Sequence, residues 1–346
     1  MLPVEQSTAH STSSAMSSSI HRRLPLQDSA LAASSLRAYN SNLISFLTHA
    51  RLSFNQFLSS PAHQLDHRLA VFIQHSHDAS RPFAYAAQAL HAAVFHRPEL
   101  KLHLHSARQC LRGWERTRQS RSHPPLTWEL TVLLACTLLR SGHHGAAVGM
   151  LVAFDCYLRV SELTRLRRCD IVMPNDPRFG SADRNMAVVL KHTKTGANQS
   201  VPLFDVDVAQ VLCQWMQHTA RAQAHSLVFD FTASRLRHLM HQACAVHGLQ
   251  HTPYVPHSLR HGGATCDFLR TSSINFVQFR GRWKSMESAR RYIQTSRALL
   301  AAQQVPQRLN DLGGLLAESL VDIFDHALQA VPSASRRRSR RVTFDC

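Results

Sequence analysis

The stretch HSLRHGGATCDFLRTSSINFVQFRGRWKSMESARRYIQ, residues 257–294, places His257, Arg260, Trp283 and Tyr292 within one short run of chain. His257 and Arg260 stand one helical turn apart, so a helix presents both from one face. Pro256, just ahead of them, suits the first turn of that helix, whose N-terminal dipole favours an anion. His261 points to another side of the same helix and reads as packing behind the other two. Gly262 and Gly263 weaken helix propensity, which a close approach of backbone would explain. The indole N–H of Trp283 is a lone donor on a large apolar body, and Tyr292, nine residues on, ends the run with a hydroxyl. Each aromatic taken alone is an ordinary packing residue. Together, the donors, the cation and the hydroxyl suit one half of a phosphoryl-transfer site with a tyrosine nucleophile.

That chemistry requires more positive charge. Negative charge spreads over the non-bridging oxygens of a pentacoordinate phosphate, and the planar fork of arginine can bond two of them at once. A general acid must protonate the leaving oxygen, a task for Lys or His. Upstream, CYLRVSELTRL holds Arg159 late in a long apolar helix expected over about 144–167. A guanidinium there needs a partner or a cleft. Glu162 lies three residues on, where it could hold the guanidinium in place; the plainer alternative is a surface ion pair. HTKTGAN carries Lys194 at the connection between two short β-branched runs, 186–192 and 198–204, which read as a hairpin or small sheet edge. Lys191 lies three residues before it, and periodicity does not choose between the two.

Around these motifs the chain is mostly helical. Residues 1–30 are rich in Ser, Thr, His and Gln with little apolar periodicity, a composition that predicts disorder. Four helical runs follow over 31–118, beginning with one that places Leu36, Tyr39, Leu43, Phe46 and Leu47 at three- and four-residue steps. They predict a small all-helical bundle. Residues 119–128, basic and with two prolines, form the expected linker. Helices resume over 129–300, with Gly142 a plausible stop for the first and the hairpin set among them. Beyond 301 come an amphipathic run at 309–331 and a basic tail, RRRSRR, at 336–341. The fold class is therefore mostly α with a small β-sheet, in two domains.

Composition narrows the function classes. Of 346 residues, 39 are Lys or Arg and 22 Asp or Glu, a formal charge of +17 that favours a polyanionic partner. No apolar run is long enough to span a membrane, so no membrane partner is expected. The eight scattered cysteines form no C-x-x-C pair and read as reduced, small apolar residues. Although the chain has 24 histidines, no zinc-finger spacing and no H-E-x-x-H occurs, so neither metal nor cofactor is expected.

In the order Arg159, Lys194, His257-x-x-Arg260, Trp283, Tyr292, with LRVSEL and HSLRHGGAT as extended motifs, the sequence resembles the tyrosine recombinase (phage-integrase-like) family. The resemblance is specific over about 129–296 and extends more loosely to 34–118. It implies a helical core-binding domain and a mixed α+β catalytic domain that close around double-stranded DNA. It also implies attack by Tyr292 to form a 3′-phosphotyrosyl link. Arg159, Arg260, Trp283 and His257 would stabilise the transition state, with Lys194 as general acid, and four protomers would assemble on DNA. The HSLRHGGAT and GRW wording is most similar to recombinases of DIRS-type and related eukaryotic mobile elements. Where many members have His, this chain has Trp283, which donates a hydrogen bond but takes no proton, so deprotonation of Tyr292 falls to His257 or solvent. The C-terminal run would pack on its own domain or dock onto a neighbour. RRRSRR reads as a nuclear-localisation signal in a eukaryotic host, a DNA tether or a solvated tail; without such a host the protein would be cytoplasmic. Two other readings remain at this stage: a catalytically silent DNA-binding protein derived from a mobile element, and a type IB topoisomerase-like relaxing enzyme.

Overall fold

A computed structural model describes residues 30–118, 123–174, 176, 186–193, 196–252, 254–296 and 305–330. The N-terminal Ser-rich segment up to residue 29, Lys194 and the basic tail lie outside the described residues. By its internal contacts the chain divides into two compact units, Met1–Arg121 and Ser122–Cys346.

Unit one is helical: α1 (Ala33–Ala50), α2 (Phe54–Ser59), α3 (Ala62–Asp78), α4 (Phe83–His96), a 3₁₀ turn (Pro98–Leu102) and α5 (His105–Thr117). The first expected helix is two. Arg51 takes a left-handed conformation, φ 52°, and Ser53 then starts α2 with a capping box closed by Gln56. Leu43, Phe46 and Leu47, on the predicted face of α1, fill the core together with Leu65, Leu69 and Phe72. Asp66 accepts the backbone N–H groups of Ser106 and Ala107 at the N-terminus of α5. Those bonds hold its carboxyl below the usual range against the opposing effect of burial.

Unit two is built on α6 (Trp128–Arg140), capped by the Thr127 hydroxyl, and α7 (His144–Asp155). Every residue of α7 from Ala146 to Asp155 is buried, which explains its lack of a polar face. Gly142, φ 78°, separates the two helices where a stop is expected. α7 does not run on to 167. It ends at Asp155 because Tyr157 adopts φ 47°, with Leu158 N–H donating to the Ala153 carbonyl and Tyr157 N–H to that of Phe154. This is a Schellman ending with tyrosine where glycine is usual. Arg159 therefore caps a separate short helix, α8 (Val160–Leu163), instead of lying inside an apolar one.

A 3₁₀ turn (Arg168–Asp170) leads into an antiparallel sheet in the order β1 (Ile171–Val172), β2 (Ala187–Thr193), β3 (Gly196–Pro202). Pairing of Val188 with Val201 and of Thr193 with Gly196 sets the register. Then follow α9 (Val206–His218), α10 (Ala233–Val246), α11 (Pro256–Thr271), α12 (Ile274–Gly281) and α13 (Met286–Arg290). The C-terminal run is two helices, α14 (Gln307–Glu318) and α15 (Leu320–Gln329), packed on α6 and α9 of their own unit. Leu309, Leu320, Phe324 and Leu328 are buried there. Gly313 lies so close to the Glu129 backbone that a Cβ would collide with it. Among the described residues no helix is long and apolar enough to cross a membrane, and no group of His, Cys, Asp and Glu is placed to hold a metal.

Candidate active site

Two helix ends build the site from behind. α12 terminates as α7 does: Arg282 takes φ 58°, its N–H donates to the Phe279 carbonyl, and Trp283 N–H donates to that of Gln278. The carbonyls freed at these ends, those of Tyr157 and Gly281, both accept from Arg260, through Nη1 and through Nη2 at 2.9 Å respectively. Arg260 stands on α11 and is fully buried. Close backbone contact makes this possible: a Cβ on Gly263 would collide with the Phe154 carbonyl and the Tyr157 ring, and one on Gly262 with the Leu126 carbonyl.

The aromatic residues gather over this guanidinium. Its carbon lies 4.6 Å from the Trp283 ring centre and 5.1 Å from that of Tyr292. Trp283 and Tyr292 are 4.6 Å apart, centre to centre, and His257 is 5.5 Å from Tyr292. His261 stacks on Tyr292 at 4.8 Å, and its Nδ1 lies 3.3 Å from the Tyr292 carbonyl, which also accepts from Thr265 Oγ1. The expected position of His261 behind the site is thus a direct seat for the tyrosine. Tyr292 follows α13, whose start is fixed by the Ser285 hydroxyl accepting from Ser288 N–H.

Arg159 enters from the other side. Its Nη1 meets Glu162 Oε1 at 2.6 Å while its backbone N–H donates to Oε2 at 2.8 Å, so the glutamate holds both ends of the residue. Glu162 also accepts from Arg282 Nη2 at 3.3 Å. Arg282 is a residue that the sequence reading passed over, although it stands next to Trp283 in GRW. Two guanidinium groups, those of Arg159 and Arg282, thus share one carboxylate, with Arg260 beside them. Burial, followed by the charges of Arg159 and Arg282, lowers the pKa of Arg260 from its ordinary value. Burial likewise lowers that of Arg282. Several buried donors have no hydrogen-bond partner among the described residues: Nε of Arg260, Nε and Nη1 of Arg282, and Nε1 of Trp283. Each such donor costs about 1–3 kcal/mol. Oxyanions are suitable acceptors for donors of this kind.

The histidines are tuned to be neutral. Burial, then the nearby Arg260 charge, depresses the pKa of His257. Burial and His257 push that of His261 down to about 4. A neutral His257 can accept a proton at pH 7; a charged one could not.

A second network, unmarked in the sequence, braces the frame. Arg280 is buried between Asp155 and Asp267 and pairs with both, and the Tyr157 hydroxyl donates to Asp267. Asp155 Oδ2 in turn accepts from the Phe204 N–H at 3.1 Å. Lys191, by contrast, is exposed and pairs with Asp170 at 2.6 Å, a contact that raises its pKa.

Residues 135–298 match the phage integrase family. Among solved structures, a lambda integrase fragment crystallised as a dimer on a COC′ core site superposes with TM-score 0.57 at 15% identity, covering 84% of this chain and 96% of that one. A Tn1549 transposon integrase fragment in complex with circular intermediate DNA gives 0.55 at 13%, over 82% and 97%. XerH on a palindromic difH substrate, a post-cleavage complex, gives 0.54 at 15%, over 83% and 80%. Identities this low speak for the fold alone, here mostly α with a small three-stranded sheet. No curated protein matches the chain by sequence.

Proposed function

We propose, from the match of residues 135–298 to the phage integrase family, that the chain cleaves and rejoins DNA strands through a covalent bond to Tyr292. The observation that carries this reading is the packing of Tyr292 against Arg260, Trp283 and His257. Within that cluster, Arg260 Nε and Trp283 Nε1 lack acceptors among the described residues. A scissile phosphate supplies those acceptors and brings its phosphorus to the one hydroxyl nucleophile in the cluster.

The steps balance without an energy source. The Tyr292 oxygen bonds to phosphorus as its proton passes to His257 or solvent. The bond from phosphorus to the 5′ oxygen breaks, and that oxygen takes a proton from Lys194. A 3′-phosphotyrosyl link and a free 5′ hydroxyl result. Attack by the 5′ hydroxyl of another strand reverses each transfer and releases Tyr292, so strands are exchanged with no net loss of phosphodiester bonds. Arg159, Arg260 and the Trp283 indole neutralise and bond the non-bridging oxygens, where charge grows in the transition state.

Double-stranded DNA is the proposed partner, consistent with the formal charge of +17 and a steep expected loss of binding with salt. Exchange between two duplexes needs four active tyrosines, so we place the working assembly as a homotetramer on DNA. Lambda integrase has been crystallised as a tetramer bound to a Holliday junction. The deciding experiment is phosphotyrosyl trapping on nicked suicide duplexes built from DNA flanking the gene. Wild type is expected to form an adduct that denaturing gels resolve, and Tyr292→Phe none. Adduct formation by Tyr292→Phe sinks the mechanism.

A further inference from the structure

Arg282 occupies a position that local backbone preference would give to glycine. It stands at the left-handed end of α12 with φ 58°, a conformation that costs a residue with a Cβ about 1 kcal/mol or more. Its side chain is then buried rather than released to water, with 7% of it exposed. Burying a cation adds a second cost unless its charge is used. A residue that breaks two local preferences at once is expected at a functional position rather than a structural one.

The surroundings say what the charge is for. Arg282 Nη2 reaches the Tyr157 carbonyl and Glu162 Oε2, both at 3.3 Å, long contacts for charged groups. Its Nε and Nη1 have no partner among the described residues. Glu162 is already engaged at 2.6 Å by Arg159. Arg260 leans on backbone carbonyls and aromatic faces and brings no carboxylate of its own. Three cations, Arg159, Arg260 and Arg282, therefore face one anion, Glu162, which leaves two positive charges uncompensated. A phosphodiester carries one negative charge, and its pentacoordinate form, after attack by a deprotonated tyrosine, carries two.

We propose that Arg282 is a third cation of the phosphate site, whose charge completes the neutralisation of the pentacoordinate phosphorus. The proposal rests on the strand-cleavage reading above and adds a residue to it. The guanidinium acts through its field in a water-poor site, where preorganised charge is most effective.

The test compares wild type, Arg282→Gln and Arg282→Lys in single-turnover cleavage of two duplexes, one normal and one with a neutral methylphosphonate at the scissile position. On the normal duplex, Arg282→Gln is expected to cleave on the order of 100-fold more slowly. Arg282→Lys, which keeps the charge, is expected to recover much of that loss. On the methylphosphonate duplex, where one negative charge is gone, the deficit of Arg282→Gln is expected to shrink towards parity. An equal deficit on both duplexes, or cleavage by Arg282→Gln at the wild-type rate on the normal one, overturns the role of Arg282 while leaving the cleavage reading intact. Absence of any wild-type adduct with Tyr292 overturns both. Thermal melts and duplex binding of each variant separate loss of charge from loss of fold.

Discussion

Tyr157 and Arg260 are joined through the main chain of one and the side chain of the other: the Tyr157 carbonyl accepts from Arg260 Nη1, while the Tyr157 hydroxyl donates to Asp267. A single residue in left-handed conformation thereby links Arg260 to the buried Asp155–Arg280–Asp267 network. Burial, the leading cause, keeps that hydroxyl protonated by raising its pKa well above the usual range.

Tyr157→Phe removes only this hydroxyl and tests the link. The charged acceptor Asp267 loses a donor, a change expected to cost roughly 2 kcal/mol. Urea denaturation should show a lower midpoint with an unchanged slope. An unaltered midpoint would mean that the bond contributes nothing.

Two glycines make a matched pair. Gly263→Ala forces a Cβ into the Phe154 backbone and the Tyr157 ring, whereas nothing lies within 4 Å of a Cβ on Gly314. The first is expected to lose about 3 kcal/mol or more. The second is expected to gain up to about 1 kcal/mol from helix propensity in α14. Melting temperatures of the two variants check both signs, and a stable Gly263→Ala protein would refute the close packing.

Stability should fall in acid partly through His261. Its pKa in the fold is about 4, below the ordinary histidine value of about 6.5, so the unfolded chain takes up the proton first. The contribution is whole above pH 6.5 and is lost as pH falls towards 4, by roughly 3 kcal/mol for this residue. His261→Gln should flatten that part of the curve when denaturation is compared at pH 7.5 and pH 4.5. Parallel curves for the two proteins would exclude His261 as a source.

The general acid can be assigned by comparing two lysines. Lys191 is exposed and engaged by Asp170, so Lys191→Ala should leave cleavage within about twofold of wild type. Lys194→Ala should slow cleavage by on the order of 100-fold while sparing DNA binding. A large cleavage defect in Lys191→Ala would transfer the role to that residue.

What the sequence showed of the fold depended on which residues did the work. Gly142 and Pro256 announce a helix end and a helix start because glycine and proline do so by their own backbone limits. The end of α7 at Tyr157 was not legible, since a tyrosine in left-handed conformation carries no mark in the sequence. Likewise the single-residue break at Ser319 between α14 and α15 leaves the apolar spacing unbroken, and β1 is only two residues long, too short to show alternation. In the site, His257, Arg260, Trp283 and Tyr292 were readable because they fall within one stretch of chain. Arg282 was overlooked beside them because a charged residue next to tryptophan has an ordinary surface reading. The Asp155–Arg280–Asp267 network was invisible, as its members lie up to 125 residues apart and meet only through the fold.

The small apolar cluster of Tyr157, Ala264, Val277, Trp283 and Ala289, with Tyr292 packed against it, is separate from the main core of its unit. It holds Tyr292, the Trp283 indole and the helix end that carries Arg282 as one corner. If that corner opens, the proposed nucleophile and the Arg282 charge leave together. A partial opening of that corner would therefore abolish the proposed cleavage rather than leave it unguided.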